Sequence, residues 1–143
     1  MVRTRAVVFD EKGRVLVQHH LNSKNDFYRL PGGGVRSREK IEDCLVREIK
    51  EESALEVKII RLLWVRDFLD TSPYHSIELF FLATVVAGDF MATPEAVNIE
   101  LLFKTLEELE GVVFYPKVFI PKLKFLRDNR NWTEANPYVR SAN

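Results

Sequence analysis

The stretch GGGVRSREKIEDCLVREIKEESAL, residues 32–55, combines three consecutive glycines with a strongly patterned helical sequence. Apolar residues recur at every fourth position, at Ile41, Leu45 and Ile49. This spacing is typical of a helix that packs one face on a core. Because Ser37 is a suitable N-cap, we predict a helix from Ser37 to about Ser53.

Three carboxylates, those of Glu48, Glu51 and Glu52, share one side of this predicted helix. On a helical wheel with about 100° per residue, Glu51 and Glu52 lie within roughly 60° of Glu48, on the side of Cys44 and Leu45. Burial of carboxylates beside apolar side chains costs several kcal/mol unless positive charge compensates it, and the three also repel one another. Divalent cations would compensate this charge, and ligation by oxygen alone favours hard ions such as Mg²⁺ or Mn²⁺.

The glycines before the helix support the same interpretation. Because Gly32, Gly33 and Gly34 have no side chains, their carbonyls and amides can approach a metal ion or a phosphate. We predict that Pro31–Gly34 form an irregular loop, since this backbone is too permissive to hold regular structure. Mg²⁺ normally shares its oxygen ligands with substrate phosphates, so loop and helix together predict one site for metal and phosphate.

The same residues resemble the Nudix box, Gly-x5-Glu-x7-Arg-Glu-U-x-Glu-Glu-x-Gly-U, in which U is a bulky aliphatic residue. The matching positions are Gly33, Glu39, Arg47, Glu48, Ile49, Glu51, Glu52 and Leu55. Ala54 replaces the last glycine of the box, and a left-handed C-cap there costs alanine about 1 kcal/mol. Residues 30–33 and 106–109 are also similar, so the chain resembles the Nudix, or MutT-like, hydrolase family over most of its length.

The resemblance implies a role for each charged residue of the box. The implied ligands of the catalytic divalent ions are the carbonyl of Gly32 and the carboxylates of Glu48, Glu51 and Glu52. Glu48 is also implied to activate the attacking water, and Arg47 to hold Glu48 in place. Glu39 is implied either to orient Arg47 or to reach a further ion.

Further candidates lie around the box and outside it. The general base in this family often comes from outside the box, and Glu95 is preferred here over Glu100. Tyr28 is a candidate to stack on a nucleobase, although aromatic residues of strands more often belong to the core. Arg36 is either a phosphate contact or a solvated side chain. The predicted substrate contacts are Tyr28, Gly33, Gly34, Arg36 and Glu39.

The resemblance implies a reaction in which water attacks phosphorus. The implied enzyme is a divalent-metal-dependent pyrophosphohydrolase that cleaves a nucleoside diphosphate linked to another moiety. Nucleoside triphosphates, ADP-ribose and similar compounds remain open as substrates. The alternative is a non-catalytic, nucleotide-binding regulatory module with the same fold. The box keeps all of its glutamates, which argues against this alternative, because loss of a metal-binding glutamate would mark such a module.

The rest of the chain predicts further strands and helices. Arg3–Asp10 and Arg14–His20 are apolar runs that flank a turn with a glycine, which predicts a β-hairpin. The other predicted elements are short strands at residues 27–30 and 99–104, long strands at 55–68 and 77–87, and helices at 106–109 and 116–128. Pro121 should kink or restart the last helix.

This order of elements indicates an α/β or α+β sandwich, and the resemblance likewise implies an α/β/α fold with a mixed β-sheet between helices. The length of 143 residues predicts a single domain, residues 1–143. The polar segment 129–143 is expected to form a tail on the surface of this domain.

Composition excludes several classes of protein. The chain has 21 Lys and Arg against 21 Asp and Glu, so its zero net charge predicts no nucleic-acid or membrane partner. The single cysteine, Cys44, cannot form an internal disulfide, and no secretion signal is recognised, so we expect a cytoplasmic protein. The expected partner is a nucleotide-type small molecule, and the apolar strands are also compatible with a homodimer.

Overall fold

The computed structural model describes residues 1–21, 26–69, 73, 75–91 and 98–140. Its strands are β1 (Val2–Val8), β2 (Val15–His20), β3 (Phe27–Arg29), β4 (Gly32–Gly34), β5 (Glu56–Leu69), β6 (His75–Ala87), β7 (Ile99–Lys104), β8 (Phe114–Tyr115) and β9 (Tyr138–Val139). Its helices are α1 (Ile41–Ser53), α2 (Leu106–Glu110) and α3 (Phe119–Asp128). None of these helices is long and apolar enough to cross a membrane.

The strands form two mixed sheets. One sheet has five strands in the order β4-β1-β6-β5-β9, and the other has four in the order β7-β2-β3-β8. The β1–β6, β5–β9 and β3–β8 pairs are parallel, and the other pairs are antiparallel. The long strands predicted at residues 55–68 and 77–87 are confirmed as β5 and β6.

Helices cover both faces of this assembly of strands. Val7 of β1 packs with buried residues of α2 and α3, whereas its neighbours Ala6 and Val8 pack with Leu45 and Ile49 of α1. Successive side chains of a strand point to opposite faces, so α1 lies on one side of β1 and the other two helices lie on the opposite side. The predicted α/β/α sandwich is confirmed.

The predicted β-hairpin is wrong. β1 and β2 belong to different sheets, and within the described residues the two segments are joined by one bridge, between Phe9 and Val15. The turn itself forms, because Asp10 Oδ1 accepts 2.9 Å hydrogen bonds from the backbone N–H groups of Lys12 and Arg14. The strands diverge after the turn because β4 and β6 take both edges of β1.

The predicted glycine loop is instead a short strand. Gly32–Gly34 form β4, which pairs antiparallel with β1 and places Gly32 opposite Arg5. Glycine is required at Gly32, where φ is +151° and a Cβ would lie 1.9 Å from the backbone oxygen of Thr4. The missing side chains therefore permit close pairing with β1, which the sequence interpretation did not foresee.

Replacing Gly32 by alanine is expected to destabilise the fold by about 3 kcal/mol or more, because the new methyl group would overlap the Thr4 carbonyl. Gly34 offers a matched control in the same strand, since the nearest atom to a Cβ there would be Met1 Sδ, at 3.9 Å. The midpoint of urea unfolding measures both variants. Equal midpoints for Gly32→Ala and Gly34→Ala would contradict this explanation.

Helix α1 begins at Ile41, four residues after the predicted N-cap Ser37. The N-cap position is Lys40, which makes no side-chain capping bond. Residues 36–39 form a turn before the helix, in which the Glu39 carboxylate accepts a 3.1 Å hydrogen bond from the Arg36 backbone N–H. This turn delays the start of the helix and leaves Ile41 exposed at the first helical position.

The end of α1 agrees with the sequence interpretation. Ala54 has φ 65°, in the left-handed region that the corresponding box glycine would adopt without strain. We expect Ala54→Gly to raise the free energy of unfolding by up to about 1 kcal/mol, because alanine is strained there. Urea denaturation measures the change, and unchanged or lower stability would show that the strain is relieved in another way.

The last helix begins later than predicted. α3 starts at Phe119, whose N–H donates to the carbonyl oxygen of Pro116. Pro121 lies in the first turn of α3, where backbone N–H groups have no partner within the helix, so it neither kinks nor restarts the helix. After α3, the largely exposed residues 129–140 contribute β9, which pairs with β5 and buries Val139.

Candidate active site

Arg47 forms the centre of the predicted carboxylate site. Its Nε and Nη2 atoms donate to the two oxygens of Glu39, at 2.7 and 3.0 Å. Its Nη1 atom donates to Glu48 Oε1 at 3.1 Å and to Glu51 Oε2 at 3.2 Å. The bonds from Arg47 lower the pKa of Glu39 to about 2, so this carboxylate is ionised at neutral pH. One guanidinium therefore joins the turn before α1 to two carboxylates of the helix.

The Glu48 carboxylate lies directly against strand β4. A Cβ built on Gly33 would lie 2.5 Å from Cδ and Oε1 of Glu48, so the carboxylate could not keep its present position beside any residue other than glycine. The side chain of Glu48 is 19% exposed. A predicted metal ligand and a predicted substrate contact are therefore neighbours in space, and close approach of the carboxylate to the backbone explains the glycine.

Gln18 of β2 links Glu52 of α1 to strand β4. Its Nε2 atom donates to Glu52 Oε2 at 2.6 Å and to the Gly32 carbonyl oxygen at 3.3 Å. Burial, together with the negative charge of Glu48, raises the pKa of Glu52 to about 7 despite the bond from Gln18. The Glu52 carboxylate and the Gly32 carbonyl, both implied metal ligands, thus contact the same amide nitrogen of Gln18.

Sequence reasoning did not identify Gln18. Its side chain is fully buried in a strand whose preceding residues, Leu16 and Val17, are buried and apolar. Its Oε1 atom accepts a 2.9 Å hydrogen bond from Arg29 Nε. A buried amide needs hydrogen-bond partners, so a glutamine directly after the apolar run Val15–Val17 is the signal that could have identified this residue.

Of the other predicted substrate contacts, Tyr28 faces away from the carboxylates and Arg36 lies near them. Tyr28 lies opposite His19 in the β2–β3 pair and stacks on it at 4.2 Å. Because Gln18 faces the carboxylates, its neighbour His19 faces the other way, and so does Tyr28. Tyr28 is therefore not among the side chains brought to the carboxylates. Arg36 is nearer, with Nη2 3.9 Å from Glu51 Oε1.

The remaining candidates are one glycine and two bases. Gly34 contacts α1 through Cys44, whose Sγ lies 3.4 Å from the Gly34 carbonyl oxygen. Glu100 lies opposite His19 in the β2–β7 pair, with Oε2 3.7 Å from His19 Nδ1, and thus on the face away from Gln18. Glu95, the preferred base, lies outside the described residues.

The chemistry of the predicted ligands supports metal binding, but the described residues are not arranged as a complete metal-binding group. Among the described residues, no three His, Cys, Asp or Glu side chains form a group that could hold a metal ion in their present positions. Arg47 bonds to both Glu48 and Glu51, while Gln18 bonds to Glu52. The donors nevertheless fit a hard cation, because carboxylates and a carbonyl supply oxygen ligands only.

A buried ion cluster lies on the neighbouring strands. Glu78 Oε2 accepts a 3.0 Å bond from Arg5 Nε, and Oε1 accepts bonds of 3.0 and 2.6 Å from Nε and Nη2 of Arg66. Burial alone would raise the pKa of Glu78, but the two guanidiniums outweigh it and lower the pKa below its ordinary value. Arg5 also donates to the Leu30 carbonyl oxygen at 3.3 Å, close to β4.

An α/β/α sandwich whose first helix carries clustered carboxylates beside a glycine strand is the arrangement expected of a Nudix protein. The model of the NUDIX domain matches residues 1–127, and the chain therefore belongs to the Nudix hydrolase family. It is 33% identical over 119 residues to an ADP-ribose pyrophosphatase of Methanocaldococcus jannaschii, across 82% of this chain and 66% of that protein.

Other relatives agree with this family and fold. An NAD-capped RNA hydrolase of Edwardsiella ictaluri is 33% identical over 84 residues, which cover 57% of this chain and 30% of that protein. The crystal structure of a Streptococcus suis ADP-ribose pyrophosphatase has a TM-score of 0.72 and 25% identity, covering 98% of each chain. A MutT protein from Methanosarcina mazei has a TM-score of 0.71 at 22% identity, with 92% and 96% covered, and shows the fold alone.

Proposed function

We propose that the protein is a divalent-metal-dependent pyrophosphohydrolase, which cleaves a nucleoside diphosphate linked to another moiety by attack of water at phosphorus. The observation that carries the proposal is the group of Glu48, Glu51 and Glu52 on α1, held by Arg47 and Gln18 beside the backbone of β4. Membership of the Nudix family supports chemistry at pyrophosphate bonds.

Mg²⁺ or Mn²⁺ is the proposed cofactor. The residues that would hold it are Gly32, through its carbonyl, and Glu48, Glu51 and Glu52. Such an ion, when bound, neutralises charge on phosphate oxygens and lowers the pKa of a bound water. The chain orients these ligands through bonds to other side chains, and ligands held in this way are generally better positioned for metal binding.

Individual roles follow from the contacts of each side chain. We assign the proton of the attacking water to Glu48, at Oε2, because Oε1 is bonded to Arg47. Arg36 lies near Glu51 and is the proposed contact to a phosphate oxygen. The backbones of Gly33 and Gly34 are proposed to approach the phosphates, and Glu95 stays a prediction as a further base.

ADP-ribose is the first candidate substrate. The relatives from M. jannaschii and S. suis are named ADP-ribose pyrophosphatases. The chain spans about two thirds of the length of the archaeal relative and about a third of the NAD-capped RNA hydrolase of E. ictaluri. Because the coverage of these relatives is partial, hydrolysis of ADP-ribose is a proposal for this chain. Nucleoside triphosphates and other nucleoside diphosphate derivatives should be tested beside ADP-ribose.

Product release from a nucleotide panel tests the proposal against its alternative, the non-catalytic module. With Mg²⁺ or Mn²⁺ we expect hydrolysis of ADP-ribose, a nucleoside triphosphate or a related compound, and a chelator should lower the rate at least about 100-fold. Nucleotide binding without hydrolysis of any compound would contradict the enzyme and favour the module. Hydrolysis that persists in chelator would contradict the metal requirement.

A further inference from the structure

A cavity of about 1230 Å³ lies on the strand face that carries the buried ion cluster. Arg29 in its lining is linked to Glu52 of the carboxylate site through hydrogen bonds to Gln18. Its apolar wall includes Phe27, Val113 and Tyr115, and the rings of Phe27 and Tyr115 meet edge to face at 5.6 Å. Apolar and aromatic walls with a few polar groups are typical of small-molecule sites. The sequence interpretation did not predict this cavity.

Arginines dominate the charged part of the cavity. Its lining includes five cationic side chains, Arg3, Arg5, Arg29, Arg66 and Lys117. Only two carboxylates accompany them in that lining, those of Glu78 and Glu110, which leaves an excess of three positive charges. Such an excess in a concave, partly apolar site favours an anionic ligand.

Arg3 lies beside the ion cluster of Arg5, Arg66 and Glu78. Glu78 lies opposite Arg3 of β1 on one side and opposite Arg66 of β5 on the other, so the three side chains form a row across three strands. Both oxygens of Glu78 are bonded by Arg5 and Arg66. The Nε atom of Arg3 is buried and has no hydrogen-bond partner in the described part of the chain. A buried donor without a partner is costly, and a ligand acceptor would satisfy it.

Arg29 shows the same crowding of positive charge. Burial, and then the charges of Arg5 and Arg3, lower the pKa of Arg29 to about 10. Nε of Arg29 donates to Gln18 Oε1 at 2.9 Å. Like charges do not gather around a buried guanidinium without cost, so an anion bound among Arg3, Arg5 and Arg29 would stabilise all three.

The cavity is connected to the carboxylates through one side chain. Gln18 accepts from Arg29 at one end of its amide and donates to Glu52 at the other, at 2.9 and 2.6 Å. A substrate whose diphosphate lies at Glu52 would therefore extend past Arg29 into the cavity. Its base would meet the apolar wall around Phe27 and Tyr115, and its other polar groups would meet the arginines.

We propose that this cavity selects a nucleotide that carries a further phosphate group in addition to the diphosphate that is cleaved, and that Arg3 binds this phosphate. The inference rests on the proposed function, because it places the scissile diphosphate at the α1 carboxylates. A phosphate monoester carries nearly two negative charges and offers three oxygens to guanidinium groups, which matches the excess charge of the cavity. An uncharged sugar or base would leave that charge uncompensated.

The test compares binding of AMP with binding of adenosine 2′,5′-bisphosphate and adenosine 3′,5′-bisphosphate, in chelator, by calorimetry. We expect at least one bisphosphate to bind about tenfold more tightly than AMP or better. In Arg3→Gln this ratio should fall to within about twofold, whereas Arg140→Gln, a change at an exposed arginine outside the cavity, should keep it. If Arg3→Gln does not fold, Arg3→Lys is used, and the ratio should fall at least threefold.

Equal affinities for AMP and both bisphosphates would overturn the inference, and so would a preference that survives the change at Arg3 or a lack of measurable binding. The assay involves no turnover, so its result is separate from that of the hydrolysis panel. A bisphosphate preference that depends on Arg3, in a protein that hydrolyses nothing, would contradict the proposed function but support the phosphate site.

Discussion

Replacing Glu48 by glutamine is expected to lower kcat by roughly 10³-fold or more and to leave the protein folded. Glutamine has nearly the same shape, so it fits the space that Gly33 leaves beside the carboxylate. It lacks the negative charge that would bind a cation and accept a proton. Arg47 keeps its bonds to Glu39 and Glu51, so we expect little loss of stability.

Glu42→Gln is the matched control for this variant. Glu42 lies in the first turn of the same helix but is exposed, and it does not take part in the Arg47 contacts. Its kcat should stay within about twofold of the wild-type value, with saturating substrate and Mg²⁺, and circular dichroism should show both variants folded. Activity of Glu48→Gln within tenfold of the wild type would refute the role assigned to Glu48.

Replacing Glu78 by glutamine is expected to reduce the free energy of unfolding by about 3–5 kcal/mol. The side chain of Glu78 is only 6% exposed, and the change would leave Arg5 and Arg66 as buried charges without their carboxylate. Urea denaturation measures the loss. Glu56→Gln is the control, because the exposed pair of Glu56 with Lys50 should contribute less than about 1 kcal/mol. Similar losses in both variants would contradict this account of the cluster.

At acidic pH, the wild-type protein should lose the contribution of Glu78 to the free energy of unfolding. Since the folded-state pKa of Glu78 is lowered from an ordinary value of 4.5, the unfolded chain binds the proton more readily. The stabilisation is therefore fully present above about pH 4.5 and is lost as the pH falls through the folded-state pKa. The difference in unfolding free energy between wild type and Glu78→Gln should shrink over that range. A difference that stays constant from pH 7 to pH 3 would contradict the lowered pKa.

The carboxylate face of α1 could be predicted because its determinants are local. Glu48, Glu51 and Glu52 lie within five consecutive residues, and helical geometry alone brings them to one side. The left-handed backbone of Ala54 is likewise set by the end of one helix. The helix start could not be predicted in the same way, because the Glu39 carboxylate is held by Arg36 and Arg47 and so forms a turn where a capped helix was expected.

Contacts between distant segments account for what the sequence did not predict. Gln18 meets Glu52 across 34 residues, and Arg5 meets Glu78 across 73. The pairing of β1 with β6 and β4, rather than with β2, also depends on segments that are far apart in the chain. From sequence alone, the glycine run predicts a loop. Its strand conformation depends on the close approach of β4 to Thr4 of β1, which only the structure shows.

The proposed reaction requires a divalent cation among the α1 carboxylates. Anomalous diffraction from crystals soaked in Mn²⁺, with a nucleoside diphosphate derivative present, tests this most directly. We expect an anomalous peak in contact with the Gly32 carbonyl and with at least two of Glu48, Glu51 and Glu52, and we expect this peak to disappear in Glu48→Gln crystals. No peak at these residues, or one that is equally strong in the variant, would contradict the account.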